Sequence, residues 1–286
     1  MILVTGATGH LGSAVIDHLI KNTNTNKFAA FARDENKAKH LTEKGIEVRL
    51  GTFDDTASLD KAMQGIEKVL LISTIDHHRF QQHKNVIDAA KKAGVQHILY
   101  TSVSLKDLNS SAIKNLMESH FQTEDYIKQS GLKYTFLRNS LYTDVIPFYV
   151  GEKVFETGIS LPAGDGKVAY ALRREMGEAA ANVLLQKEHE NKIYEITGSE
   201  LYSYEEVAKA LSELSGKDIT YTDVEATQLA EQLKQAGVPE FVAFLIVGFA
   251  TDTRNNQFGI VSKDLENLLG RKPATLKEGL KEIYKM

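Results

Sequence analysis

Val4-Thr5-Gly6-Ala7-Thr8-Gly9-His10-Leu11-Gly12 joins an apolar run over residues 1–5 to residues 10–21, where Leu11, Ala14, Val15, His18 and Leu19 recur on one helical face. The segment reads as the end of a strand, a turn and the start of a helix. Its glycines are spaced G-x-x-G-x-x-G. Gly6 permits the tight turn out of the strand. Gly9 lets the backbone approach a pyrophosphate, and Gly12 lets the helix pack close to a sheet. The N–H groups that open a helix have no intrahelical acceptor and are suited to negative phosphates. A dinucleotide site is therefore expected over residues 6–12.

The same rhythm continues downstream. Apolar strand-like runs at 28–33, 46–50, 69–72, 97–101 and 134–137 alternate with helical patterns, and Gly45, Gly65, Gly94 and Gly131 each follow a helix. Repeated βαβ alternation predicts an α/β, Rossmann-type doubly wound parallel sheet covered on both faces, with ligands outside the carboxyl ends of the strands. Beyond residue 141 the pattern loosens around Pro147, Gly151, Gly158, Pro162, Gly164 and Gly166. Residues 1–150 are expected to form the dinucleotide-binding domain. Residues 151–286 are expected to form a smaller, helix-rich capping lobe, partly interwoven with the sheet. The most apolar stretch, 241–250, is too short to cross a bilayer, which takes about 20 residues. It reads as a buried helix, a pocket wall or a subunit interface.

The 286 residues are 42% hydrophobic and 25% charged, the balance of an ordinary globular chain with room for a sizeable core. A formal net charge of -4 argues against a nucleic-acid surface, which calls for a basic stripe. The absence of cysteine excludes disulfides, thiolate metal sites and cysteine nucleophiles, so redox chemistry must come from a bound cofactor. A strand-like start without a basic leader predicts a cytoplasmic protein without a membrane partner. Adjacent His77 and His78 point apart on a regular element and lack a partner cluster, so no metal is expected.

Cofactor choice rests on the end of the second strand, Phe31-Ala32-Arg33-Asp34. NAD binders usually place an acid there for the ribose hydroxyls. Arg33 is suited to a 2′-phosphate, with Lys37 one turn further on, and this favours NADP(H). Asp34, one position late, is the remaining argument for NAD. Asp54 and Asp55 either hold the adenine amino group or cap the next helix. Ser73 and Thr74 follow the fourth strand, and Thr101, Ser102 and Ser104 the fifth. All are small hydroxyl residues at the expected ligand edge, able to bond ribose and nicotinamide.

These motifs resemble the short-chain dehydrogenase/reductase superfamily, and within it the atypical NmrA-like branch. The likeness is carried by the glycine loop, Arg33, Leu70-Leu71-Ile72-Ser73, Asn85-Val86-Ile87-Asp88-Ala89-Ala90, Tyr100-Thr101-Ser102 and Tyr134-Thr135-Phe136-Leu137-Arg138-Asn139. It extends through Ala163-Gly164-Asp165-Gly166-Lys167 and Tyr194-Glu195-Ile196-Thr197-Gly198, nearly the whole chain. The resemblance implies dinucleotide contacts from Gly6, Thr8, Gly9, His10 and Leu11, from Arg33 and Ser73, and from Asn139, Ser140, Leu141 and Tyr142. Arg173 matches a family arginine near the cleft.

Typical members carry Tyr-x-x-x-Lys on the helix after the fifth strand. Aligned on Glu124, that pair falls on Leu116 and His120 here, and Tyr126 and Lys128 have the wrong spacing. Reduction of an ordinary ketone, which needs an acid at the oxygen, is disfavoured. A quinone that takes a hydride gives a stabilised phenolate-like anion, and a triarylmethyl cation becomes neutral, so neither needs a side-chain proton donor. The expected activity is NADPH-dependent hydride transfer to a quinone or similar planar small molecule, triarylmethane dyes included. The alternative is a non-catalytic NADP(H)-binding redox sensor. Two residues are candidates near the chemistry. His120 reads either as a proton relay or ribose partner, or as a helix-surface or core histidine. Tyr142 either stacks on the substrate or simply packs. Monomer and homodimer are both compatible with the sequence.

Overall fold

The computed structural model describes residues 1–286. The chain falls into two compact units, each made of three stretches. The first comprises Met1–Val103, Glu118–Asn139 and Arg173–Tyr194; the second comprises Ser104–Met117, Ser140–Leu172 and Glu195–Met286. The chain therefore passes between the units several times.

The first unit is built on β1 (Ile2–Val4), α1 (His10–Asn22), β2 (Phe28–Ala32), α2 (Glu35–Glu43), β3 (Glu47–Leu50), α3 (Thr56–Ala62), β4 (Lys68–Leu71), α4 (Arg79–Lys92) and β5 (His97–Val103). It continues through most of α5 (Lys114–Ser130) and all of β6 (Lys133–Asn139). The later elements are α6 (Ile146–Val150), α7 (Val154–Thr157), β7 (Ile159–Leu161), α8 (Arg173–Leu185), β8 (Lys192–Ile196), α9 (Tyr204–Ser215) and β9 (Tyr221–Asp223). Four helices end the chain: α10 (Ala226–Gln235), α11 (Glu240–Arg254), α12 (Asp264–Leu269) and α13 (Leu276–Tyr284).

The main sheet has strand order β3-β2-β1-β4-β5-β6-β8, and β1 to β6 pair in parallel. β1 lies between β2 and β4, so the winding direction changes beside it, where an open α/β sheet leaves its ligand crevice. Helices on both faces explain why β1, β2 and β5 are buried along their whole length, β1 and β2 reading as unbroken apolar runs. One face buries Leu3, Phe31, Leu71, Tyr100 and Phe136 among side chains of α3 and α4. On the other, α8 packs alongside α1. A Cβ on Gly177 would stand 2.6 Å from that of Ala14, and His18 Nε2 meets Asn182 Oδ1 at 2.9 Å. Both contacts advance together along the two helices, so α1 and α8 run parallel.

The second unit contains a two-stranded parallel pair, β7 with β9. The sequence pattern reads as irregular connections around β7 and marks no element at β9, where three residues without a glycine loop beside them carry too little signal. Helices α9 and α13 each begin with a complete capping box, Ser203 with Glu206 and Thr275 with Glu278. The apolar stretch at 241–250 lies in α11, which buries Leu245, Ile246, Gly248 and Ala250 and leaves Phe241 and Phe244 each 40% exposed. Asp252, on the same helix, accepts from Ser111 Oγ at 2.5 Å and Ala112 N at 2.6 Å. Burial pushes its carboxyl above the usual range.

Candidate active site

The turn after β1 has the geometry that its glycines demand. Gly6 has φ +60°, and its carbonyl accepts from Gly9 N at 2.9 Å. A Cβ on Gly12 would stand 2.1 Å from that carbonyl, so only glycine allows α1 to start so close to the turn. Gly9 is the N-cap of α1 and no side chain caps the helix, whereas α2 and α3 are capped by Asp34 and Asp55. The first N–H groups of α1 are thus left for an external acceptor, with the helix dipole behind them. Thr8, His10 and Leu11 sit on this loop and helix start. The parallel register of α1 and α8 brings Arg173, the first residue of α8, to the level of Gly9 and His10.

At the end of β2, Asp34 Oδ1 accepts from Asn36 N at 2.9 Å and Lys37 N at 3.2 Å. The carboxylate that argued for NAD thus has its Oδ1 engaged as the cap of α2. Arg33 and Lys37 are exposed beside it. Asp55 likewise caps α3 through Ala57 N and Ser58 N, and Asp54 accepts from Gln82 Nε2 at 3.1 Å.

The hydroxyl residues at the strand ends divide into two kinds. Thr5 Oγ1 accepts from Ile72 N at 3.0 Å, and Thr101 Oγ1 from Ser73 N at 2.9 Å. These two threonines hold the chain as it leaves β4; their hydroxyls serve the backbone. Ser102 Oγ, by contrast, is buried without a hydrogen-bond partner at the end of β5. Such an atom costs free energy unless a ligand satisfies it. Ser73 and Thr74 follow β4, and Asn139 ends β6 opposite Val103. The first unit therefore gathers Gly6 to Gly12, Arg33, Lys37, Ser73, Thr74, Ser102 and Asn139 along the carboxyl ends of its strands. The capless helix, the free basic pair and the orphaned hydroxyl fit a phosphorylated dinucleotide laid along that edge.

Ser140, Leu141 and Tyr142 belong to the second unit. Ser140 N donates to Ile196 O at 2.9 Å, and its buried Oγ has no partner. Leu141 is buried and its carbonyl accepts from Ala171 N at 3.3 Å. Tyr142 bridges to Ala171 and caps a short helical turn at Thr143–Val145.

His120 is only 6% exposed. Its Nε2 lies 3.0 Å from Arg79 Nη1 and its Nδ1 2.8 Å from Tyr100 Oη, so both ring nitrogens are engaged within the protein. Burial, and then the Arg79 cation, hold its pKa well below the ordinary imidazole range. Tyr126 donates to Asp88 Oδ1 at 2.6 Å and Lys128 pairs with Asp125 at 3.4 Å. Arg79 was not legible as a site residue. In sequence it is one more basic residue at a helix start, yet it is buried. Glu124 receives a two-pronged ion pair from Arg138, Nε at 2.9 Å and Nη2 at 2.7 Å, which pins α5 to β6 just before Asn139.

The profile of the NmrA-like family matches residues 1–283. Quinone oxidoreductase 2 of Escherichia coli is 37% identical over 288 residues, covering 99% of both chains. The solved structure of Citrobacter sp. triphenylmethane reductase complexed with NADP(H) superposes with a TM-score of 0.92 at 38% identity, over 99% of this chain and 100% of that one. The NADPH complex of an Escherichia coli NADPH-dependent quinone oxidoreductase gives 0.91 at 37% identity, with the same coverage.

Proposed function

Since the chain belongs to the NmrA-like family, we propose that it is an NADPH-dependent oxidoreductase that passes hydride to a quinone or a similar planar electrophile, triarylmethane dyes included. That it is an NAD(P)H-dependent reductase using NADP(H) follows from full-length relatives of that activity. The choice of acceptor is our reading. It is carried by one observation: α5 offers no tyrosine four residues ahead of a lysine, and the histidine at the lysine position is neutral and fully engaged.

Bound NADPH supplies the hydride from its nicotinamide ring. The uncapped start of α1 receives the pyrophosphate, with Arg173 at the same level of the unit. Arg33 and Lys37 pair with the 2′-phosphate. Ser73, Thr74, Ser102 and Asn139 take the remaining half. The protein's task is to hold donor ring and acceptor face to face and to keep water away from the donor. A quinone that accepts hydride becomes a hydroquinone anion and takes its proton from water. A triarylmethyl cation becomes neutral and takes none. The missing proton donor thus selects the acceptor without abolishing turnover.

NADPH absorbance followed with purified protein and a simple benzoquinone tests the reading, with NADH beside it and a protein-free control. Protein-dependent loss that prefers NADPH is expected. Tight NADPH binding with no loss toward any quinone or cationic dye would replace the reductase with a redox sensor, which must bind NADP+ and NADPH unequally.

A further inference from the structure

Arg79 opens α4, yet it is only 3% exposed. Its Nη1 donates to Thr74 O at 3.0 Å and its Nε to Ser119 Oγ at 2.8 Å. A guanidinium has donors only, so His120 Nε2, 3.0 Å away, must be the acceptor. The neutral ring then carries its proton on Nδ1 and donates to Tyr100 Oη at 2.8 Å. A protonated imidazole could not accept from Arg79, and burial beside that cation keeps His120 neutral. Behind it, His83 Nδ1 donates to Thr123 Oγ1 at 3.0 Å, and Thr123 Oγ1 to Ser119 O at 2.7 Å. A buried cation costs several kcal/mol of desolvation, and an apolar side chain would join α4 to α5 more cheaply. What the guanidinium adds is a grip on one carbonyl at the ligand edge of the sheet.

That carbonyl lies on the segment where β4 gives out. Ile72 N and Ser73 N are already tied to Thr5 and Thr101, and Arg79 adds the third tie at Thr74. Ile75, 64% exposed, rides on the same segment. A dinucleotide with its 2′-phosphate at β2 and its pyrophosphate at β1 must extend its other half over β4 and β5, given the strand order.

Resting on the reading that NADPH binds along this edge, we propose that Arg79 is a positioning residue for the nicotinamide half of the cofactor: it fixes the Thr74 carbonyl and the 73–75 segment, with neutral His120 as its tether. His120 thereby has a use at the position where the family's lysine stands. A lysine there would set a second cation against Arg79.

Arg79→Met, Arg79→Lys, His120→Gln and His120→Leu are compared with wild type in three measurements. These are binding of 2′,5′-ADP (the adenosine half alone), the fluorescence of bound NADPH, and single-turnover hydride transfer to benzoquinone. For Arg79→Met we expect 2′,5′-ADP affinity within about twofold of wild type, altered emission from bound NADPH, and transfer slowed by about 10- to 100-fold, the cost of roughly an ångström of misplacement. Arg79→Lys recovers part of the rate by bonding Thr74 O. His120→Gln, whose amide oxygen can accept from Arg79, keeps the rate within about threefold; His120→Leu loses about tenfold. Wild-type emission and transfer rate in Arg79→Met overturn the proposal. If that variant does not fold, equal rates in His120→Gln and His120→Leu overturn it. Wild-type protein that binds neither 2′,5′-ADP nor NADPH would overturn the cofactor reading beneath it.

Discussion

Arg33 and Asp34 are neighbours with opposite meanings for cofactor choice, and the cap that Asp34 forms favours Arg33. The Asp34 carboxylate is committed to Asn36 N and Lys37 N, so the charge left facing outward is positive. Arg33→Ala is therefore expected to raise KM for NADPH about 10- to 100-fold, the worth of a charge-assisted contact of roughly 1.5–3 kcal/mol, and to leave the weak use of NADH unchanged. Steady-state kinetics with both nucleotides check this; a parallel rise in both KM values would remove Arg33 from the 2′-phosphate. The turn at Gly6 to Gly12 was legible because glycine has one physical reason to stand at a positive φ or against a carbonyl. Arg79, Thr5 and Thr101 were not. Their roles depend on partners distant in sequence: Thr5 to Ile72, Thr101 to Ser73, and Arg79 to His120. No local pattern reports such pairings.

At the scale of elements, the first three helices of the sheet start differently. Helices α2 and α3 are closed by aspartates, while α1 is left open by Gly9. If Asp34 is a cap, Asp34→Ala lowers the unfolding free energy by about 1 kcal/mol and does not weaken NADH binding. Chemical denaturation and an NADH titration together test it, and loss of NADH affinity would make Asp34 a ribose ligand instead. The alternating strands and helices up to β6 were readable because period and punctuation agree over long stretches. The β7–β9 pair escaped notice because, unlike β1, neither short strand is followed by a glycine turn that opens a helix. Helix α11 ran further than its apolar stretch suggested, since its last turn carries Asp252 and Arg254, polar residues that read as the start of a loop.

Over the whole molecule, several histidines are folded away in neutral form. Burial, with the Arg79 cation adding to it, lowers His83 to about 3, and burial lowers His97 to about 4; His120 shifts in the same direction. The unfolded chain binds these protons near the ordinary value of 6.5. Their contribution to stability is therefore complete above about pH 6.5 and is lost as pH falls toward the folded values. The melting temperature should drop by several degrees between pH 7.5 and 5, a range above most carboxylate titrations, at roughly 2–4 °C per kcal/mol. A flat profile over that interval in thermal scans would mean that the buried histidines already bind protons in the folded state.

The proposed reaction is direct hydride transfer from NADPH to a planar acceptor without a side-chain proton donor. It is tested most directly with NADPH deuterated at the transferring C4 position and a triarylmethane dye, because the new C–H bond on the dye's central carbon does not exchange with water. Mass spectrometry of the decolourised product should show one deuterium per molecule, with none entering from D2O when unlabelled NADPH is used. Decolourisation that carries no label from NADPH, or NADPH binding without decolourisation, would contradict the account.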